Sequence, residues 1–178
     1  NLLWVRAFDH IYNPTLAIKV FRLLKNHYPN AMLTMVGPKK DNSFNDVVKL
    51  IETLKLKESI KITGVLKKEE WHKLAEDSDI FINTTNIDNT PVSVMESMAL
   101  GLPVVSTNVG GLPYLIENNI DGILVKKDDA KLMYNAIDHL LTNNNNNNIA
   151  ITIAKNARIK AESFSWKVIE KQWLELFY

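Results

Sequence analysis

The sequence contains no cysteine, which excludes disulfides and thiolate catalysis and suits a reducing cytoplasm. It also lacks any apolar run approaching the ~18 residues of a membrane-spanning helix, and it shows no signal peptide. Neither sign of charge dominates: 21 basic and 20 acidic residues leave a net charge of +1. That balance gives no reason to expect nucleic acid or an acidic membrane as a general partner. Glycine is scarce, at six residues, and no GxGxxG follows the first apolar run, which disfavours a nicotinamide cofactor. No GxxxxGK[ST] occurs, which disfavours a P-loop kinase or ATPase. The four histidines, His10, His27, His72 and His139, show no metal-ligand spacing, so no metal is expected. No Ser/His/Asp arrangement or carboxylate pair marks a hydrolase. The initiator Met is absent as well. The chain opens inside a strand-like run, Leu2 to Val5, from which we expect a piece of a longer protein.

What is present is an ordinary globular composition, 46% apolar and 23% charged, in a chain long enough for one good core. Short apolar runs alternate with segments of helical periodicity. The strands are expected at Leu2–Val5, 31–36, 60–63, 79–83, 103–106 and 122–125. Between them the pattern predicts helices over 14–27, 41–54, 68–75 and 91–100, a helical turn at 112–116, and a helix over 128–141. Two more helices, 149–162 and 166–176, close the chain, with Trp166 and Trp173 read as packing residues. The run of six asparagines, 143–148, reads as a solvated linker. Connections this long cannot be hairpins, so the fold class is α/β: a Rossmann-like, doubly wound parallel sheet of six strands.

Such sheets bind ligands beyond the carboxyl ends of their strands. Arg6, Gly37, Gly64, the segment 83–90 and the segment 106–111 all fall there. The richest stretch runs from Asn83 to Pro113. Thr90 is the expected N-cap of a helix beginning at Pro91, whose N–H groups at Val92, Ser93 and Val94 would favour a phosphate. A well-capped helix with no ligand explains the same residues. Glu96 lies five residues past Pro91, so ~7.5 Å along the axis at ~1.5 Å per residue. That is near the separation of a distal phosphate from a ribose, and a carboxylate accepts from two vicinal hydroxyls. Asp88, before the helix, could accept from a polyol or simply form a turn. Arg6 could neutralise a diphosphate or make a surface ion pair. The Gly110-Gly111 turn would let backbone approach a ligand closely.

The run DNTPVSVMESMALGLPVV from Asp88, followed by Gly110-Gly111, resembles the signature of glycosyltransferase family 4 (group 1). Its marks are two acids separated by seven residues, an Ala-x-Gly-x-Pro-Val-Val run and a Gly-Gly turn. The resemblance extends from Arg6 to Phe164-Ser165-Trp166. It implies half of a GT-B fold: residues 1–178 as a donor-binding domain, helices 149–178 at its end, and an acceptor-binding N-terminal domain outside the chain. By it, Glu96 would bind ribose and Asp88 the transferred sugar, while Arg6 and the backbone of Val92 to Val94 hold the diphosphate. The loop after Gly64, with Val65 and Leu66, would bracket the base. The implied activity is retaining transfer from a nucleotide-diphosphate sugar without cofactor or metal. A glycan or glycolipid would be the acceptor, in cell-envelope polysaccharide synthesis at the cytoplasmic membrane face. Asp88 stands where the family usually has Glu. Ile11-Tyr12-Asn13 stands where the family has a Lys, and Tyr114 replaces the acid after the Gly-Gly pair. The alternative is a nucleotide- or partner-binding module that kept the fold and lost transfer. A sugar-nucleotide epimerase would need an acid and a base that the sequence does not offer.

Overall fold

The computed structural model describes residues 1–142 and 149–177. Six strands form one sheet: β1 (Leu2–Val5), β2 (Leu33–Val36), β3 (Ile60–Gly64), β4 (Ile80–Asn83), β5 (Val104–Thr107) and β6 (Ile123–Val125). All pairings are parallel, in the order β3-β2-β1-β4-β5-β6. The chain therefore builds outward from β1 to β3, returns beside β1 at β4, and builds the other way. Leu2 faces Leu33 on one side and Ile80 on the other, so the switch point lies between β1 and β4.

Helices cover both faces, because the strands are apolar on both sides. Leu2, Trp4, Met35, Ile80, Ile82 and Val105 point into one core, packed by α1 (Pro14–His27), α2 (Ser43–Thr53) and α6 (Ala130–Thr142). Leu3, Val36, Phe81 and Val104 point into the other. There they meet α3 (Lys68–Glu76), α4 (Val92–Ala99), α5 (Leu112–Leu115) and Ala157 of α7 (Ile149–Glu162). Phe21 and Phe81 are wholly buried, and each contributes roughly 1.5–3 kcal/mol from removal of its surface from water. Trp4 is equally buried, and its indole N–H donates to Thr84 Oγ1 at 2.9 Å, so its polar edge is not orphaned.

The expected elements are all present among the described residues, with shifted ends. β2 begins two residues later than expected, at Leu33. α6 begins at Ala130 because Asp128 adopts a left-handed backbone (φ 59°) and Asp129 Oδ1 accepts from Leu132 N at 2.9 Å. The six-asparagine linker lies outside the described residues. One expectation fails outright. Trp166 and Trp173 are not buried: α8 (Trp166–Phe177) buries no residue, Trp166 is 68% exposed, and Trp173 stacks on Phe177 of the same helix. The period that marks an apolar helix face says nothing about where its partner is. No helix among the described residues is long and apolar enough to cross a membrane.

Candidate functional site

At the switch point the rim of the sheet gathers charge. Arg6 follows β1, and its N–H donates to Val36 O at 3.0 Å. Its guanidinium lies 4.5 Å over the ring of Tyr12 and forms an ion pair with Asp88. The pair is not a surface contact: the two side chains are only 13% and 16% exposed. Burial lowers the pKa of Arg6 from its ordinary value, partly opposed by Tyr12, although a guanidinium stays charged in water-like pH ranges. Arg6 Nε is buried without an acceptor. Tyr12, within the segment Ile11-Tyr12-Asn13 that stands where the resemblance implies a Lys, thus covers one face of the Arg6 guanidinium.

Asp88 reaches Arg6 because its loop is fastened on three sides. Asn86 N donates to Ile11 O at 2.7 Å, and Asn86 Nδ2 to His10 O at 3.0 Å. Thr85 Oγ1 donates to Ile87 O at 2.8 Å, and Gly111 N to Asp88 O at 2.8 Å. The Gly110-Gly111 turn, expected to let backbone approach a ligand, lies close against this loop. A Cβ on Gly110 would fall 2.0 Å from Asp88 O, and one on Gly111 1.9 Å from Asn89 O. Only glycine fits at either position. Beneath the loop, Asn83 Nδ2 donates to Ser106 Oγ at 3.0 Å and Thr107 Oγ1 to Thr85 O at 2.6 Å. Asn83 Oδ1 is left buried without a partner.

α4 starts one residue later than the sequence suggests. Pro91 is the N-cap, with an extended backbone and no side-chain cap, while Thr90 is exposed and caps nothing. The cause is that Val94 N already donates to Pro91 O at 3.0 Å, closing the first turn tightly. Val94 is therefore spent. The donors that α4 leaves to a ligand are the N–H groups of Val92 and Ser93, its first two positions. Ser93 adds a buried Oγ without a partner. Glu96, one turn on, is 19% exposed and faces α3, where Lys68 Nζ forms an ion pair with Oε1. His72 Nε2 lies 3.9 Å from Oε2, too far for a hydrogen bond, and finds no partner. Contact with Glu96 raises the Lys68 pKa.

A cleft of about 280 Å³ opens beside Arg6 and Ser93, lined also by Tyr12, Val65, Leu66 and Trp71 among others. Val65 is 71% exposed and Leu66 half-buried, so the turn after Gly64 presents apolar side chains at the mouth. A larger hollow, about 350 Å³, lies at the far ends of the strands beside Leu2, Leu24, Tyr28 and Leu141. Among the described residues lining it, no side chain has a buried polar atom without a partner, so the rim is the stronger candidate. Asp9, His10 and Asp41 also converge there. They satisfy one another locally: Asp41 Oδ2 lies 2.9 Å from both His10 N and His10 Nδ1, and Asp9 Oδ1 accepts from Ile11 N at 2.9 Å. Hydrogen bonds from Ser43 and then His10 hold the Asp41 carboxyl below the ordinary range.

The profile of the Glycosyl transferases group 1 family matches residues 2–158. The chain belongs to that family. The amylovoran biosynthesis glycosyltransferase AmsK from Erwinia amylovora is 28% identical over 170 residues, spanning 90% of this chain and 40% of AmsK. Among solved structures, Anabaena HepE, in complex with UDP and glucose, superposes with a TM-score of 0.87 at 20% identity. That likeness covers 99% of this chain and 47% of HepE. The C-terminal domain of the group 1 family protein LpcC from Francisella tularensis superposes with a TM-score of 0.80 at 16% identity, covering 92% of this chain and 85% of that one. The two low-identity superpositions establish the fold. The chain spans less than half the length of AmsK and of HepE.

The structure thus brings Arg6, Asp88, Val92, Ser93, Glu96, Val65 and Leu66 to one rim. It places Gly110 and Gly111 behind them as support, and it sets Thr90 and the N–H of Val94 aside. Three participants escaped the sequence reading: Tyr12 over Arg6, and Lys68 and His72 on Glu96. The last two lie four apart and so share a face of α3, which was the available signal; which face that is depended on the packing.

Proposed function

We propose that residues 1–178 are the donor-binding half of a retaining glycosyltransferase of family 4, taking a sugar from a nucleotide-diphosphate sugar. The observation that carries this is the meeting of Arg6, Asp88 and the open N–H groups of Val92 and Ser93 at the switch point, with Glu96 one turn up α4. Arg6 and those two N–H groups would bind the diphosphate, and Ser93 Oγ would add a donor. Glu96 would accept from the ribose hydroxyls, Val65 and Leu66 would flank the base, and Asp88 would accept from the transferred sugar. As the bond from sugar C1 to the phosphate oxygen breaks, negative charge grows on that oxygen, and fixed donors favour it most at that moment. The acceptor oxygen bonds to C1 on the face the phosphate leaves, and its proton passes to the departing phosphate oxygen. No metal or cofactor enters this scheme, because Arg6 and the helix terminus supply the positive field.

The acceptor site belongs to an N-terminal half beyond this chain. The acceptor in this reading is a glycan or glycolipid at the cytoplasmic membrane face; AmsK, by name an amylovoran biosynthesis glycosyltransferase, supports the biosynthetic setting alone. Titration calorimetry with UDP, GDP and ADP tests the donor role. At least one should bind with micromolar to low-millimolar affinity, and a folded chain that binds none overturns the reading. A second reading is supported by the segment Ile11-Tyr12-Asn13, which carries no lysine where the resemblance implies one and lays Tyr12 against Arg6. On it, the fold is a nucleotide- or partner-binding module without transfer. Donor binding with neither transfer nor donor hydrolysis, by a protein that includes the acceptor half, would select it.

A further inference from the structure

Asp88 pairs with the guanidinium that the donor reading assigns to the diphosphate. It already holds the guanidinium of Arg6, in a place where both side chains are mostly shielded from water. Arg6 has few other acceptors: its Nε finds none, and one face is closed by the Tyr12 ring. The Asp88 loop cannot drift aside freely, being tied to the post-β1 loop through Asn86 and to Gly111 through its own carbonyl. An anion that engages Arg6 therefore either displaces the Asp88 carboxylate or shares the guanidinium with it. In both cases like charges are brought together at low dielectric, which is costly unless something new compensates Asp88.

A sugar on the diphosphate supplies that compensation, since its hydroxyls donate to the carboxylate that has lost Arg6. A nucleotide without a sugar supplies nothing. We infer that Asp88 is a specificity-determining residue that makes the site prefer a sugar-bearing nucleotide over its bare diphosphate, by competing with that diphosphate for Arg6. This rests on the donor-binding reading above. Once the sugar has gone to an acceptor, the same carboxylate returns to Arg6 and drives the spent nucleotide out. The acid thus works against ligands as well as for them.

The test is calorimetry on wild-type protein and on Asp88→Asn, Asp88→Glu and Asp88→Ser. The probes are UDP, GDP, ADP, their glucosyl forms and inorganic pyrophosphate. Asn keeps the shape and removes the charge, so Asp88→Asn should bind the preferred bare nucleotide and pyrophosphate about tenfold tighter than wild type. Its glucosyl form should gain less, so that the preference for the sugar nucleotide collapses. Asp88→Glu keeps the charge and should keep the preference within about threefold. If Asp88→Asn fails to show native circular dichroism, Asp88→Ser carries the same expectation. Thermal melts give a second readout, in which the bare nucleotide should raise the midpoint of the neutral variant more than that of wild type. Bare-nucleotide affinity that is unchanged or weaker in the neutral variants, while wild type binds nucleotide normally, overturns this inference and leaves the donor site standing. Absence of nucleotide binding in every form overturns the donor reading itself, and this one with it.

Discussion

The two acids of the rim make opposite bargains with their surroundings. Asp88 lies on a loop, yet it is held tightly: its partner is a buried arginine at the end of a central strand, and glycines 110 and 111 wedge its backbone. Glu96 lies on a rigid helix, yet its partner is Lys68, a side chain 61% exposed that can leave at little cost. Secondary structure alone would assign the mobile role to the loop acid and the fixed role to the helix acid. The partners reverse that assignment. A ligand seeking Glu96 displaces a solvated ammonium, whereas a ligand seeking Arg6 must break a shielded ion pair.

Breaking the stronger contact should have the largest consequence. Arg6→Ala leaves the Asp88 carboxylate half-buried and alone, at a cost of roughly 2–4 kcal/mol, less than for a fully buried pair because both side chains keep some solvent. Nucleotide affinity should fall at least a hundredfold, read by calorimetry beside a urea melt; a variant that binds normally would remove Arg6 from the site. Gly111→Ala comes next. Its Cβ has no room against Asn89 O, so the acidic loop must shift, with an expected loss of about 1–3 kcal/mol. A wild-type melting temperature there would show that the loop is not wedged. Glu96→Ala should leave stability almost unchanged and weaken nucleotide about tenfold, the scale of two hydrogen bonds from hydroxyls. The same change should leave pyrophosphate binding intact, since pyrophosphate has no ribose. Smallest of all is Lys68→Ala, with a stability change under about 0.5 kcal/mol and nucleotide affinity moved by less than threefold. An effect as large as that of Arg6→Ala would mean the two acids are not held differently after all.

Much of this fold is legible in the sequence, because its strands are buried on both faces and therefore read as unbroken apolar runs such as Leu2 to Val5 and Ile80 to Ile82. Helix ends are less legible. Whether Thr90 or Pro91 caps α4 turns on which carbonyl accepts the first helical bonds, here Pro91 O from Val94 N and Met95 N, which no residue type announces. The site divides the same way. Glu96 and the N-terminal donors are local to one helix, so spacing finds them. The Arg6–Asp88 pair joins the first strand to the loop after the fourth, and only the return of the chain beside β1 brings them together. Lys68 and His72 depend on the roll of α3, and the exposure of Trp166 and Trp173 on tertiary packing that helical spacing does not report.

Of the four tryptophans, Trp4 is sealed in the core, Trp166 and Trp173 stand in solvent, and Trp71 alone walls the cleft. That distribution equips the protein with its own optical gauge. A base sliding between Val65 and Leu66 would come against the Trp71 indole, whose other neighbour is the edge-on His72 ring. Replacing the two exposed indoles with phenylalanine would leave Trp71 and Trp4 as the only indole emitters, and quenching of indole emission at the cleft would then report occupancy without any label.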